Sequence, residues 1–320
     1  MACAITGRVT ESTTGAPLTT PSLALHRRGV VGETPMILDE SGRFSFSSLC
    51  AGEYSLSAYS DEFVYWYKSF TLSEGQSVDD LQVALTRGGR IVGQMLDEDG
   101  RPPEQGLLTL LRDGERDGRA GLINVCGDLR AGRDGLFQSP PLSNGMYFLR
   151  FAGILQKSTD LEVSAPAHGM PDRVFDFLYP DAHHISGAQG IAVEEGQTLP
   201  ELHVRIPRPI RYRVKGRVVG ALPLERIERK YVSVKFRRDL GDLDQVGWAG
   251  QATIQPDGQF DGLEQSGRYS AEVCEFAPPE PNGRTHLMRS LGSTTFTIGS
   301  EDISGIEIQI TENAPGAQAS

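Results

Sequence analysis

One spaced pattern occurs three times in this chain. Gly42, Phe44, Leu49, Gly52, Tyr54 and Leu56 return at identical spacing as Gly135, Phe137, Leu142, Gly145, Tyr147 and Leu149. They return again as Gly258, Phe260, Leu263, Gly267, Tyr269 and Ala271, with one residue fewer between the Phe and the Tyr. Before each copy stands a run with a central glycine: Ile5-Thr6-Gly7-Arg8-Val9, Ile91-Val92-Gly93-Gln94-Met95 and Val214-Lys215-Gly216-Arg217-Val218. After each comes a closing run, at Glu74–Leu85, Glu195–Ile206 and Gly299–Ile310. Landmarks that recur in one order report a single structural unit used repeatedly.

The unit reads as antiparallel sheet. In Phe44-Ser45-Phe46 and Tyr54-Ser55-Leu56-Ser57-Ala58, apolar residues alternate with small polar ones. That is the period of a strand with one face buried and one wet. Ser41-Gly42 and Ala51-Gly52 supply turns, since glycine accepts the positive φ of a tight connection. A glycine inside an opening strand implies close approach of a neighbour or a bulge. Over no window of helix length do apolar residues recur at i, i+3 and i+4. The expected fold class is all-β, a tandem array of three Greek-key β-sandwich domains of immunoglobulin or transthyretin type. The landmarks place them at 1–86, 87–208 and 209–312, the second with a long insertion at about 152–190 and the third divergent. Residues 313–320 form a polar Pro/Gly/Ala tail expected to be disordered. Connectors are short: Arg87-Gly88-Gly89, then Pro207-Arg208-Pro209, whose prolines imply a stiff joint.

These residues resemble the carboxypeptidase regulatory-like domain family of bacterial envelope and secreted proteins. The likeness rests on the G-x-V opening strand, the D-x-x-G-x-F-x-F and G-x-Y-x-L pair, and the closing E-G-Q with L-x-V-x-L. It covers nearly the whole chain and is weakest in the third copy, where Gly-Gln becomes Gly299-Ser300. The resemblance implies a transthyretin- or prealbumin-like sandwich of carbohydrate-binding-like fold, with no catalytic residues and no cofactor. It also implies an extracytoplasmic location: periplasm, cell surface or secreted.

Charge and motifs narrow the remaining classes. A net charge of −11 repels nucleic acid and anionic lipid, so neither is an expected partner. The single basic stretch, Arg205–Arg217, lies largely on a predicted strand. No apolar stretch approaches the ~20 residues that span a bilayer, and Met1–Val9 has no basic segment leading into an apolar run, so no membrane insertion and no signal peptide are expected here. Cys3, Cys50, Cys126 and Cys274 form no C-x-x-C pair; a Cys3–Cys50 bridge is conceivable, and four free thiols is the preferred reading. The sequence contains no phosphate-binding loop, zinc-protease motif or nucleophile elbow, so no enzyme is expected. Asp181, His183 and His184 are weak metal candidates on a loop, because adjacent histidines share a metal only if the backbone turns them together. The acidic run Asp97–Gly100 and the run Asp239–Asp244 lack calcium-loop spacing and read as turns.

The principal binding candidate is Asp61–Phe70. On a strand, Tyr65 and Tyr67 share one face and Trp66 takes the other. Sugar C–H faces pack on such rings while carboxylates accept from hydroxyls. Tyr65, Trp66 and Tyr67, with Asp61 and Glu62 as acceptors, are therefore the expected ligand contacts. Two functions follow: a non-catalytic envelope or secreted module that binds glycan, polysaccharide or another polymer or displays a partner domain, with other envelope proteins as further expected partners, and, as the alternative, a purely structural or protein-interaction rod without a small-molecule ligand.

Overall fold

The computed structural model describes residues 3–36, 38–116, 119–155, 174–220, 232–241, 250–277 and 287–310. The tail 313–320 and residues 156–173 of the expected insertion lie outside the described residues. Among the described residues the protein is all-β, interrupted by one 3-10 turn at Ile185–Gly187.

The first copy contributes β1 (Cys3–Glu11), β2 (Ser22–Arg27), β3 (Glu33–Met36), β4 (Arg43–Leu49), β5 (Gly52–Tyr59), β6 (Trp66–Leu72) and β7 (Ser77–Leu85). They form two sheets, β4-β1-β7 and β3-β2-β5-β6, so the chain changes sheet after β1, β3, β4 and β6. β1 runs antiparallel to β4 and parallel to β7. Alternation explains the packing. Ile5 and Val9, Phe44 and Phe46, Leu81 and Val83 point inward from one sheet, and Leu23, Leu25, Tyr54, Leu56 and Leu72 meet them from the other in one core.

The second copy contributes β8 (Val92–Leu96), β9 (Gln105–Arg116), β10 (Arg119–Arg130), β11 (Leu136–Gln138), β12 (Gly145–Ile154), β13 (Val174–Leu178), β14 (Ile191–Val193) and β15 (Leu202–Arg205). The third contributes β16 (Arg211–Val219), β17 (Val232–Asp239), β18 (Gly250–Thr253), β19 (Gln259–Gln265), β20 (Gly267–Phe276), β21 (Leu287–Ile298) and β22 (Ile303–Gln309). Their sheets are β11-β8-β15 and β10-β9-β12-β13, then β19-β16-β22 and β18-β17-β20-β21, with β14 added to β12. Strand for strand these are the orders of the first copy. In the third copy Val214, Val234, Phe236, Phe260, Tyr269 and Ile308 belong to one core.

The chain divides into two compact units. One comprises Met1–Gln94, Leu136–Tyr147 and Ile191–Leu202; the other comprises Met95–Gly135, Phe148–Gly190 and His203–Ser320. The division falls inside the second sequence copy rather than at its ends.

Each repeated residue has one repeated task. Gly7 pairs directly with Phe44, Gly93 with Phe137 and Gly216 with Phe260. A Cβ on Gly7 would stand 2.6 Å from Phe44 Cζ and 2.3 Å from Leu81 O; on Gly216 it would stand 2.3 Å from Phe260 Cζ and 2.4 Å from Ile306 O. The register with the parallel neighbour also slips between Ile5 and Gly7 and between Val214 and Gly216. Close approach and bulge therefore coincide. The tyrosines behave alike: Tyr54 Oη donates to Cys50 O at 2.9 Å, Tyr147 Oη to Ser143 O at 2.8 Å and Tyr269 Oη to Gln265 O at 2.9 Å. Each is a buried ring whose hydroxyl fastens the turn four residues upstream, the device called a tyrosine corner in other sandwiches.

Candidate ligand-binding face

In β5 the inward set is Tyr54, Leu56 and Ala58, so Ser55, Ser57 and Tyr59 face out. Ala58 pairs with Trp66 and Ser57 with Tyr67, which sends Trp66 inward with Ala58 and Tyr67 outward with Ser57. Tyr59 ends β5, and Tyr65 immediately precedes β6. The result is an outer surface bearing Tyr59, Tyr65 and Tyr67, 55%, 61% and 57% exposed. Small residues border it, because Ser22 pairs with Tyr59 and Ala24 with Ser57 across β2. Ser69 Oγ donates to Tyr67 Oη at 2.9 Å, drawing that ring along β6. Neighbouring strands lie ~4.8 Å apart and alternate residues ~6.6 Å apart, spacings comparable with the width of a sugar ring.

The other sequence candidates divide. Asp61 is exposed at the edge of this region. Trp66 is half-buried against the core of the first sandwich. Glu62 is engaged elsewhere: Arg87 Nη1 donates to Glu62 Oε2 at 2.5 Å, Arg87 Nε donates to Glu11 Oε1 at 2.8 Å, and the guanidinium lies 5.0 Å from the centre of the buried Phe63 ring. Hydrogen bonds from Thr14 and then Arg87 hold the Glu11 carboxyl below its usual value. Tyr59 is the exposed ring on this face that sequence reasoning missed. Its signal was the alternation of β5, which turns residue 59 outward as surely as it turns Tyr54 inward.

His184 caps the 3-10 turn, its Nδ1 accepting from the Ser186 amide at 3.2 Å. Among the described residues no three His, Cys, Asp or Glu side chains converge as metal ligands, and Asp181, His183 and His184 form no such group. All four cysteines are free; Cys3 Sγ donates to Ser73 O at 3.0 Å instead of meeting Cys50. Asp97 Oδ1 accepts the Asp99 and Arg101 amides, an ordinary acidic turn. The basic stretch is partly neutralised by neighbouring strands: Arg213 Nε lies 3.6 Å from Asp261, Lys215 pairs in register with Asp261 and Arg217 with Glu307. Among the described residues no helix is long and apolar enough to cross a membrane.

A carboxypeptidase regulatory-like domain model matches residues 4–86. No curated protein matches the chain in sequence. Among solved structures, the TIE protein of Bacillus anthracis is 12% identical, with 97% of this chain and 50% of that one covered and a TM-score of 0.25. This chain thus spans about half the length of that protein. A streptococcal ancillary pilin is 14% identical, with 98% and 100% covered and a TM-score of 0.28. A minor pilin of Streptococcus agalactiae is 10% identical, with 69% and 98% covered and a TM-score of 0.30.

Proposed function

We propose that the chain is a non-catalytic, extracytoplasmic β-sandwich protein whose first domain, residues 1–86, binds carbohydrate through Tyr59, Tyr65 and Tyr67. The observation that carries this reading is three solvated phenol rings on one sheet face, bordered by Ser and Ala rather than by bulky side chains. Phenol rings pack against sugar C–H faces and leave a hydroxyl for hydrogen bonding. The exposed Asp61 is free to serve as a hydroxyl acceptor in this reading, whereas Glu62 serves the Arg87 cluster and Trp66 packs against the core. Stacking on an open face gives weak binding, millimolar to high micromolar, or about 4–6 kcal/mol.

Calorimetric titration of soluble oligosaccharides into the full chain tests this. Tyr65→Ala and Tyr67→Ala are each expected to weaken binding roughly five- to tenfold, the ~1 kcal/mol of one ring contact. Both substitutions lie outside the core and should leave the melting temperature within about 2 °C. Unchanged affinity in the double variant would remove the tyrosines from the site.

A display role is favoured by one further observation, the fastening of the first connector. Gly88 N donates to Glu62 O at 2.9 Å, Gly89 and Leu142 exchange amide bonds at 2.8 and 2.9 Å, and Arg90 N donates to Gln197 O at 2.7 Å. A Cβ on Gly88 would stand 2.2 Å from Pro141 Cβ. A connector held on both sides ties the first sandwich to neighbouring segments of its own compact unit. Binding and display are thus compatible in one molecule.

A further inference from the structure

The outer face of the β18-β17-β20-β21 sheet carries two polar rows. In one, Arg237 pairs with Ser270 and Ser270 with Thr295; in the next, Asp239 pairs with Arg268 and Arg268 with Thr297. Directly paired residues share a face of the sheet, and the inner face is taken by Val234, Phe236, Tyr269 and Ala271. A cavity of about 390 Å³ is lined by both rows and by the buried Arg238. That volume falls within the roughly 300–1,000 Å³ of small-molecule sites. Three arginines and one carboxylate line it, in a chain whose net charge is −11.

The other copies show that this polarity is no part of the common scaffold. At the same places the first copy has His26, Ser55 and Ser69 in one row, and Glu53 and Thr71 in the other. Arg28 completes that second row with an ion pair to Glu53 at 2.6 Å. In the second copy Leu111 pairs with Phe148, an apolar substitute. The third copy keeps the hydroxyls of the first, reverses the signs of the charged pair and sets a permanent charge, Arg237, where His26 stood. Its ion pair is also looser. Arg268 Nε lies 3.8 Å from Asp239 Oδ2, too far for a hydrogen bond, and the Arg268 side chain is 70% exposed. Asp239 Oδ1 accepts the Gly241 amide at 3.0 Å. Arg238 donates to Asp176 O, Ser266 O and Gln265 Oε1, and none of these bonds neutralises its charge.

We propose that this face of the third copy binds an acidic sugar, its carboxylate held by Arg237 and Arg268 and its hydroxyls by Ser270, Thr295 and Thr297. A planar guanidinium offers two parallel N–H groups to the two oxygens of a carboxylate. An inorganic anion would use the arginines and leave the hydroxyl row idle; an uncharged sugar would do the reverse. The site belongs to a different copy from the tyrosine face and does not rest on it.

Amide-detected NMR of the full chain, titrated in turn with glucuronate, glucose and inorganic sulfate, tests the proposal. Glucuronate should move the Arg268, Ser270 and Thr295 amides along one saturable curve, and glucose should leave them in place. Arg237→Gln and Arg268→Gln should each weaken glucuronate roughly five- to tenfold, the loss of a charge-assisted hydrogen bond at a solvated site. Added salt should weaken it further. Thr295→Val should weaken glucuronate and leave sulfate binding unchanged. The Tyr65→Ala, Tyr67→Ala double variant, which disables the other face, should keep these shifts; their loss there would overturn the assignment to the third copy. The proposal is equally overturned if glucuronate gives no saturable shift, if sulfate binds at least as tightly, or if the two arginine substitutions together leave the affinity unchanged.

Discussion

Replacing Tyr147 by alanine should destabilise the fold by about 3–5 kcal/mol, the range for deleting a fully buried aromatic ring. Tyr147 is 0% exposed, and its hydroxyl donates to Ser143 O at 2.8 Å across the turn that starts β12. Truncation therefore leaves a ring-sized cavity and releases the turn. Tyr147→Phe separates the two effects: it keeps the ring and removes the hydroxyl, and should cost about 1–2 kcal/mol. Denaturant unfolding of the intact chain measures both. A loss under 1 kcal/mol for the alanine variant would show that this ring does not support the core.

Gly216→Ala is expected to have an effect of similar size for the opposite reason. The new methyl would lie 2.4 Å from Ile306 O and 2.3 Å from Phe260 Cζ. Overpacking usually costs about 1–3 kcal/mol, and this value should sit at the upper end or beyond because one clashing atom belongs to the backbone of β22. Trimming the ring with Phe260→Leu should consequently fail to rescue Gly216→Ala. Rescue would mean that β22 can move away, and that the glycine serves the phenylalanine alone.

These substitutions mark what the sequence made legible. Alternation around Phe44, Tyr54 and Leu56 contains the inward set of the sheets because side-chain direction in a strand depends only on residue parity. The central glycines of the opening strands implied a close neighbour or a bulge, and at Gly7 and Gly216 the two occur together. Parity also separated Trp66 from Tyr65 and Tyr67. It could not find the partners of Glu62, because Arg87 lies 25 residues away and approaches across a connector. Nor could it find the Arg238 cluster, whose bond to Asp176 spans 62 residues and two sequence copies. Ion pairs between distant segments depend on how sheets pack, which no local period encodes. Tyr59 was within reach: it ends the strand that carries Tyr54, and continuing the alternation one residue past Ala58 turns it outward.

The tyrosine face can be observed ring by ring. The chain holds nine tyrosines, and selective carbon-13 labelling of their rings gives each a signal in the full-length protein. During titration with a binding oligosaccharide, the signals of Tyr59, Tyr65 and Tyr67 should shift together along one saturable curve. Those of the buried Tyr54, Tyr147 and Tyr269 should stay fixed. Binding that leaves the three exposed signals in place, or moves a different set, would contradict the assignment of the site.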